Sequence, residues 1–97
     1  MMTDEVPDLS SAYGEALSRV DLGNDRAILF MEDGTVRFRH VCGGTYRPMI
    51  IAPALQIGNG HEIIQRDPLT IRASIACDAE RGCTEHGFVT DGKWQAA

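Results

Sequence analysis

Five soft metal ligands stand in two short stretches of this sequence. Cys77, Cys83 and His86 form the run Cys-x5-Cys-x2-His, and an earlier His-x-Cys element contains His40 and Cys42. Thiolate and imidazole groups brought together in fours make tetrahedral zinc sites. The Cys83-x-x-His86 spacing lets two ligands of one loop reach the same ion. The pattern therefore predicts a metal centre.

We predict a structural Zn²⁺ bound by Cys42, Cys77, Cys83 and His86. His40 precedes Cys42 by two residues and is either an alternative ligand or a group that orients a ligand from outside the coordination sphere. The competing interpretation is that the cysteines are small buried hydrophobic residues and the histidines are ordinary hydrogen-bonded polar residues.

The short length of the chain favours a bound metal that stabilises the fold. Ninety-seven residues make one domain whose hydrophobic core alone is marginal. Three cysteines cannot all pair as disulfides, so metal ligands or thiols in a reducing cytoplasm are the simpler expectation. The first ten residues are acidic and polar, unlike a secretory signal, and the apolar run at 49–57 is too short to span a membrane.

The net charge of −5 lies in the N-terminal quarter of the chain. Residues 1–25 contain six acidic groups against the single Arg19, and the remainder is neutral. A basic stripe, which is the electrostatic footprint of phosphate binding, is missing. Nucleic acid is therefore disfavoured as the main partner, and a protein partner is favoured.

The N-terminal region has a helical pattern. We expect residues 1–8 to be disordered and residues 9–97 to form a single domain that begins with a short helix. The helix is predicted over 9–20, with Asp8 as N-cap, because apolar residues recur there at helical spacing: Leu9, Tyr13, Ala16, Leu17 and Val20.

The rest of the sequence has strand patterns. Two hairpins are predicted, one around Asp33-Gly34 and one around Asp91-Gly92. Strict alternation places two series of residues on inward faces: Val36, Phe38, His40 and Cys42, and then Leu69, Ile71, Ala73, Ile75 and Cys77. The predicted fold is a small β-rich domain, α+β at most, whose two hairpins are stapled by zinc.

Four stretches of the sequence resemble a known group of proteins; they lie at 37–45, 67–71, 74–77 and 83–94. They resemble small proteins encoded by actinobacterial phages and prophages, which share a His-x-Cys-Gly-Gly element and a closing Cys-x-x-His-Gly-Phe-Ile-x-x-Gly-x-Trp. The similarity covers roughly residues 35–95. Those proteins often have Cys-x2-Cys-x2-His where this chain has three more residues between Cys77 and Cys83. This departure from the pattern makes His40 an alternative to Cys77 as the fourth ligand.

The sequence and the resemblance together favour a phage accessory protein that works as an interaction module in the host cytoplasm, with the acidic segment 8–20 as contact element. A protein of the host or of the phage would be its partner. The alternative is a hydrolase or deaminase-like enzyme in which Glu80 or Glu85 serves as base to a zinc-bound water. A zinc-ribbon nucleic-acid binder is a third hypothesis, which the charge distribution disfavours. The oligomeric state stays open.

Overall fold

The computed structural model describes residues 14–42, 49–77 and 83–97. These residues form eight antiparallel strands in two four-stranded sheets, each with its strands in sequence order. The first sheet contains β1 (Ala16–Gly23), β2 (Arg26–Met31), β3 (Val36–Val41) and β4 (Met49–Ala54). The second contains β5 (Glu62–Arg66), β6 (Leu69–Ala76), β7 (His86–Thr90) and β8 (Lys93–Ala96). The prediction of a small β-rich domain is confirmed.

The helix predicted over 9–20 is wrong for the part that the structure describes. Residues 16–23 are a strand that pairs antiparallel with β2, and the Glu15 carbonyl accepts a hydrogen bond from the Glu32 amide at 2.8 Å. The apolar residues of this segment fit a helix as well as an edge strand. Pairing with β2 favours the strand, because the two strands satisfy each other's backbone hydrogen-bonding groups. Residues 1–8, predicted to be disordered, lie outside the described residues.

Both predicted hairpins are present. In the β2–β3 turn, the Asp33 carboxylate accepts hydrogen bonds from the amide and the hydroxyl of Thr35, at 2.9 and 2.6 Å. In the β7–β8 turn, Asp91 and Gly92 have φ angles of 51° and 77°. Two successive positive φ angles match the twist of a two-residue hairpin, and the Asp-Gly pair tolerates them well.

The inward face of β3 follows the predicted alternation. Val36, Phe38 and His40 are buried, and Cys42 is buried directly after the strand. The core between the sheets is built around this face and is completed by apolar residues of five other segments: Leu22, Ile28, Leu55, Leu69, Ile71, Ile75 and Val89. Period-two alternation therefore delivers a histidine and a cysteine to the end of the core.

Strand β6 departs from strict alternation at one residue. Ala73 is exposed and has a φ of 76°, so the prediction that it faces inward is wrong. The pairing with β7 shifts at this point, from Ile71 opposite Val89 to Ile75 opposite Gly87. The shift inserts two residues into β6. Because two is an even number, the alternation of side chains continues as before, and Ile75 and Cys77 still face inward.

The outer face of the first sheet has a separate apolar cluster. It contains buried residues of β2 and β4, namely Ala27, Leu29, Met31 and Ile51. Strand β2 is thus buried on both of its faces, which explains why its sequence is a continuous apolar run. In the described part of the chain there is no helix that could cross a membrane.

Candidate metal centre

Four potential ligands meet where the two sheets come together. His40 lies at the end of β3 and Cys42 follows that strand, whereas Cys77 follows β6 and Cys83 precedes β7. The ligand atoms of these four residues all lie within 4.8 Å of one another. The first sheet therefore supplies two of the ligands and the second sheet supplies the other two. This group could hold a metal ion.

Two distances inside the group match those of a tetrahedral zinc site. The Sγ atoms of Cys42 and Cys77 are 3.9 Å apart, and Sγ of Cys83 is 3.6 Å from Nε2 of His40. Zinc bonds of about 2.3 Å to sulfur and about 2.0 Å to nitrogen put tetrahedral ligand atoms about 3.8 and 3.6 Å apart. Two edges of the group thus already have the dimensions that zinc requires.

His40 is a buried histidine whose hydrogen bonding is incomplete among the described residues. Its Nε2 faces Cys83, and its buried Nδ1 makes no hydrogen bond to any residue that the structure describes, although the backbone of Phe38 and Ala52 lies beside the ring. Burial lowers the pKa of His40 below its ordinary value, against the opposing charge of Glu85. The ring is therefore neutral at pH 7, and one nitrogen offers a lone pair to a metal.

The cysteines repel one another when ionised without a cation. Burial, a hydrogen bond with Cys83 and the nearby Cys77 together raise the pKa of Cys42 to about 12. A thiolate at this position therefore needs a positive charge beside it. A divalent ion supplies that charge, and its binding displaces the thiol protons. The donor set of three sulfurs and one nitrogen fits Zn²⁺, which favours these ligands.

The structure does not bring His86 into this group. His86 begins β7, in which Gly87 and Val89 are buried, so the alternation of the strand turns His86 and Phe88 outward. The His86 side chain is exposed, and its ring centroid lies 6.4 Å from that of Phe88. Three of the four residues predicted as ligands thus lie together, and His40 lies with them instead of His86.

Glu80 and Glu85 are the predicted bases for a zinc-bound water. Glu80 lies outside the described residues. Glu85 forms a two-pronged ion pair with Arg26, in which Nη2 donates to Oε1 at 3.0 Å and Nε donates to Oε2. Its carboxylate is therefore engaged with a guanidinium. A polar pocket of about 320 Å³ lies beside the four potential ligands, which we call the metal group. Its lining includes Arg26, Glu85, His40 and Cys83.

The third histidine has a structural role. Nδ1 of His61 accepts a hydrogen bond from the Gln56 amide at 2.9 Å, and Nε2 lies 3.0 Å from the Ser74 carbonyl. Because Nδ1 is an acceptor, Nε2 carries the proton and donates to that carbonyl. His61 thus ties the turn before β5 to β6.

Sequence reasoning missed the side chains that support the metal group. The Phe38 ring stacks on His40 with centroids 4.7 Å apart and on Trp94 with centroids 4.6 Å apart. The Arg26 guanidinium lies 5.6 Å from the centre of the Trp94 ring. Gly87 leaves the space that Trp94 occupies, since a Cβ there would come within 2.6 Å of the indole. The sequence feature that could have indicated this packing is the Gly-x-x-x-x-Gly-x-Trp spacing of residues 87–94.

Compared with protein-family models, curated proteins and solved structures, the chain matches none of them. The resemblance to phage and prophage proteins thus stays a prediction, and the functional argument depends on the geometry of the site.

Proposed function

We propose that this protein is a small zinc-binding accessory protein of a phage, and that it acts as an interaction module for a host or phage protein. The observation that supports the metal part is the group of His40, Cys42, Cys77 and Cys83, whose ligand atoms lie within 4.8 Å of one another. The bound ion is structural, because four protein ligands fill a tetrahedral shell and leave no position for substrate.

The position of the group explains why such a chain would need the ion. Its ligands come in pairs from the two sheets, so one zinc ion joins the sheets at the end of the core. In small domains the free energy of metal binding is part of the free energy of folding. The folded protein then presents a fixed surface, which is what an interaction module requires.

The surface of the domain offers anchors for a protein partner. Four large apolar side chains are exposed in the described residues: Leu17, Ile57, Ile64 and Phe88. Phe88 belongs to the closing stretch that carries the resemblance, yet it faces solvent instead of the core. Aromatic side chains of this kind often dominate binding energy at protein interfaces. The acidic N-terminal quarter would favour a partner with a basic surface.

An experiment on the purified full-length chain tests both parts of the proposal. Elemental analysis of protein prepared without added metal is expected to give about one zinc per chain. Capture experiments with wild type and with a Phe88→Ser variant then test the interaction role, with Lys93→Ser on the adjacent exposed strand as control. A cooperatively folded protein without zinc would contradict the metal assignment. Equal capture of a specific partner by both variants would contradict the role of Phe88.

A catalytic zinc is the second candidate, because the polar pocket borders His40 and Cys83 and is lined by Glu85. Catalysis would require one of the four protein ligands to leave a coordination position open for water. Cobalt substitution separates the two functions. The structural site is expected to give a tetrahedral cobalt spectrum that azide or other small anions do not change, whereas an open position would bind the anion and shift the spectrum.

A further inference from the structure

We propose that zinc enters and leaves through the polar pocket beside Cys83, and that the Arg26–Glu85 ion pair positions Cys83 and so sets the rate of zinc exchange. This inference rests on the proposed zinc site and adds an exchange route and two positioning residues to it. The pocket is lined on the metal side by His40 and Cys83 and on the other sides by Arg26, Glu85 and their neighbours.

The burial of the four ligands is uneven. Cys42 has no exposed surface, His40 is 1% exposed and Cys77 is 9% exposed, whereas Cys83 is only half-buried. Cys42 and Cys77 belong with Ile50 to a small buried apolar cluster, and Cys83 packs against the outside of this cluster. An incoming ligand can therefore reach the ion along the edge formed by Cys83 and His40, where the pocket lies.

Cys83 lies two residues before Glu85, which forms the ion pair with Arg26. His40 lies within a strand, and Cys42 and Cys77 directly follow strands, whereas Cys83 lies in the irregular segment 83–85 before β7. Glu85 holds this segment at two points. Its carboxylate binds the Arg26 guanidinium, and its carbonyl accepts a hydrogen bond from the Cys77 amide at 2.9 Å.

Arg26 is itself held in place by the core. It begins β2, and its guanidinium lies over the ring of Trp94, which stacks on Phe38. Phe38 in turn stacks on His40. The side chains of Arg26 and Glu85 are 25% and 16% exposed, so water screens their ion pair less than it screens a surface pair. Contacts therefore run from His40 through the core to the segment that holds Cys83.

The exchange step is a ligand substitution without change of oxidation state. An incoming thiolate or chelator donates an electron pair to zinc from the pocket, and the bond from zinc to Cys83 breaks with both electrons staying on sulfur. The released thiolate takes a proton from water. The ion pair opposes this step because it keeps the Cys83 sulfur beside the ion and raises its effective concentration there.

The test measures zinc release from the loaded full-length protein to excess EDTA, with a colorimetric zinc indicator. Glu85→Gln keeps the shape of the side chain and removes its charge, and Arg26→Met removes the guanidinium. Each is expected to accelerate release about tenfold or more, as loss of a partly buried charged partner mainly raises dissociation rates. The matched control is the exposed pair of Arg72 and Glu62, whose Nη1 and Oε1 are also 3.0 Å apart. Glu62→Gln and Arg72→Met are expected to change the rate less than about twofold.

Two further measurements separate positioning from general destabilisation. The cobalt-substituted variants are expected to keep the wild-type spectrum, because all four ligands remain. The charge exchange Arg26→Glu with Glu85→Arg is expected to restore part of the slow release. If the wild type contains zinc but Glu85→Gln and Glu62→Gln release it at equal rates, this inference is overturned and the proposed zinc site is not. A wild type without zinc would overturn the proposed function as well.

Discussion

The sulfur atoms of Cys42 and Cys77 lie 3.9 Å apart, although 35 positions separate the two residues in the sequence. Cys42 directly follows β3 of the first sheet, and Cys77 directly follows β6 of the second sheet. A metal ion bound by both would therefore connect the two sheets where their inward faces end, and it would tie the stability of the fold to the metal.

Removal of the metal is expected to loosen this connection. Excess chelator should lower the midpoint of thermal unfolding by about 10 °C or more, because a few kcal/mol is a large shift for a domain of this size. Circular dichroism during heating measures the midpoint, and zinc added back after dialysis should restore it. An unchanged midpoint in protein shown to have lost its zinc would mean that the site does not stabilise the fold.

The two histidines next to the cysteines are expected to respond differently to substitution. His40→Gln should abolish stoichiometric zinc binding, because the buried ring presents Nε2 to the group at 3.6 Å from Cys83. His86→Gln should leave about one zinc per chain, because its exposed ring lies outside the group. Elemental analysis of both folded variants provides the measurement. Zinc loss from His86→Gln together with retention by His40→Gln would support the ligand set predicted from the sequence instead.

Gly87 is expected to tolerate no side chain. A Cβ at this position would lie 2.5 Å from the Gln95 carbonyl oxygen and 2.6 Å from Cζ2 of Trp94. Gly87→Ala should therefore lower the free energy of unfolding by about 1–3 kcal/mol, as overpacking of cores does. Urea unfolding followed by Trp94 fluorescence measures this change. Gln95→Ala, at an exposed residue of the neighbouring strand, serves as control, and equal stability of the two variants would refute the steric argument.

The turn between β2 and β3 is expected to show a pH dependence. The hydrogen bond from the Thr35 hydroxyl, and then the one from its amide, lower the pKa of Asp33 below its ordinary value. The stabilisation is therefore present above the unfolded-state pKa of about 4 and is lost as pH falls through the lower folded-state value. Thr35→Val should raise the pKa measured by carbon NMR titration, whereas Thr90→Val should not. A pKa unchanged by Thr35→Val would show that the hydroxyl contributes nothing.

The structure changes the truncation that best tests the N-terminal segment. Because β1 begins at Ala16 and Leu22 is buried, deletion through residue 22 would remove a strand of the first sheet. Deletion of residues 1–13 leaves β1 intact. We expect this shorter variant to keep its zinc and to lose affinity for a partner captured by the full chain, since the deletion removes three acidic groups. Unchanged partner affinity would place the contact surface elsewhere.

The sequence by itself determined the local features of the protein. Period-two alternation correctly placed His40 and Cys42 on the inward face of β3, and the Asp-Gly pairs correctly marked both hairpin turns. These features depend on residues a few positions apart, whose side-chain directions and φ angles follow from their own types. The same local evidence predicted a helix over residues 9–20, but residues 16–20 form part of a strand that pairs with β2.

Only the tertiary structure decided which histidine joins the cysteines. The Cys83-x-x-His86 spacing favoured His86, but the burial of Gly87 and Val89 turns that side chain outward. His40 reaches Cys83 across 43 positions because Phe38 and His40 share the face of β3 that packs against the second sheet. Spacing along the chain limits which ligands can reach one ion. The pairing of strands and the packing of the sheets determine which of them point toward it.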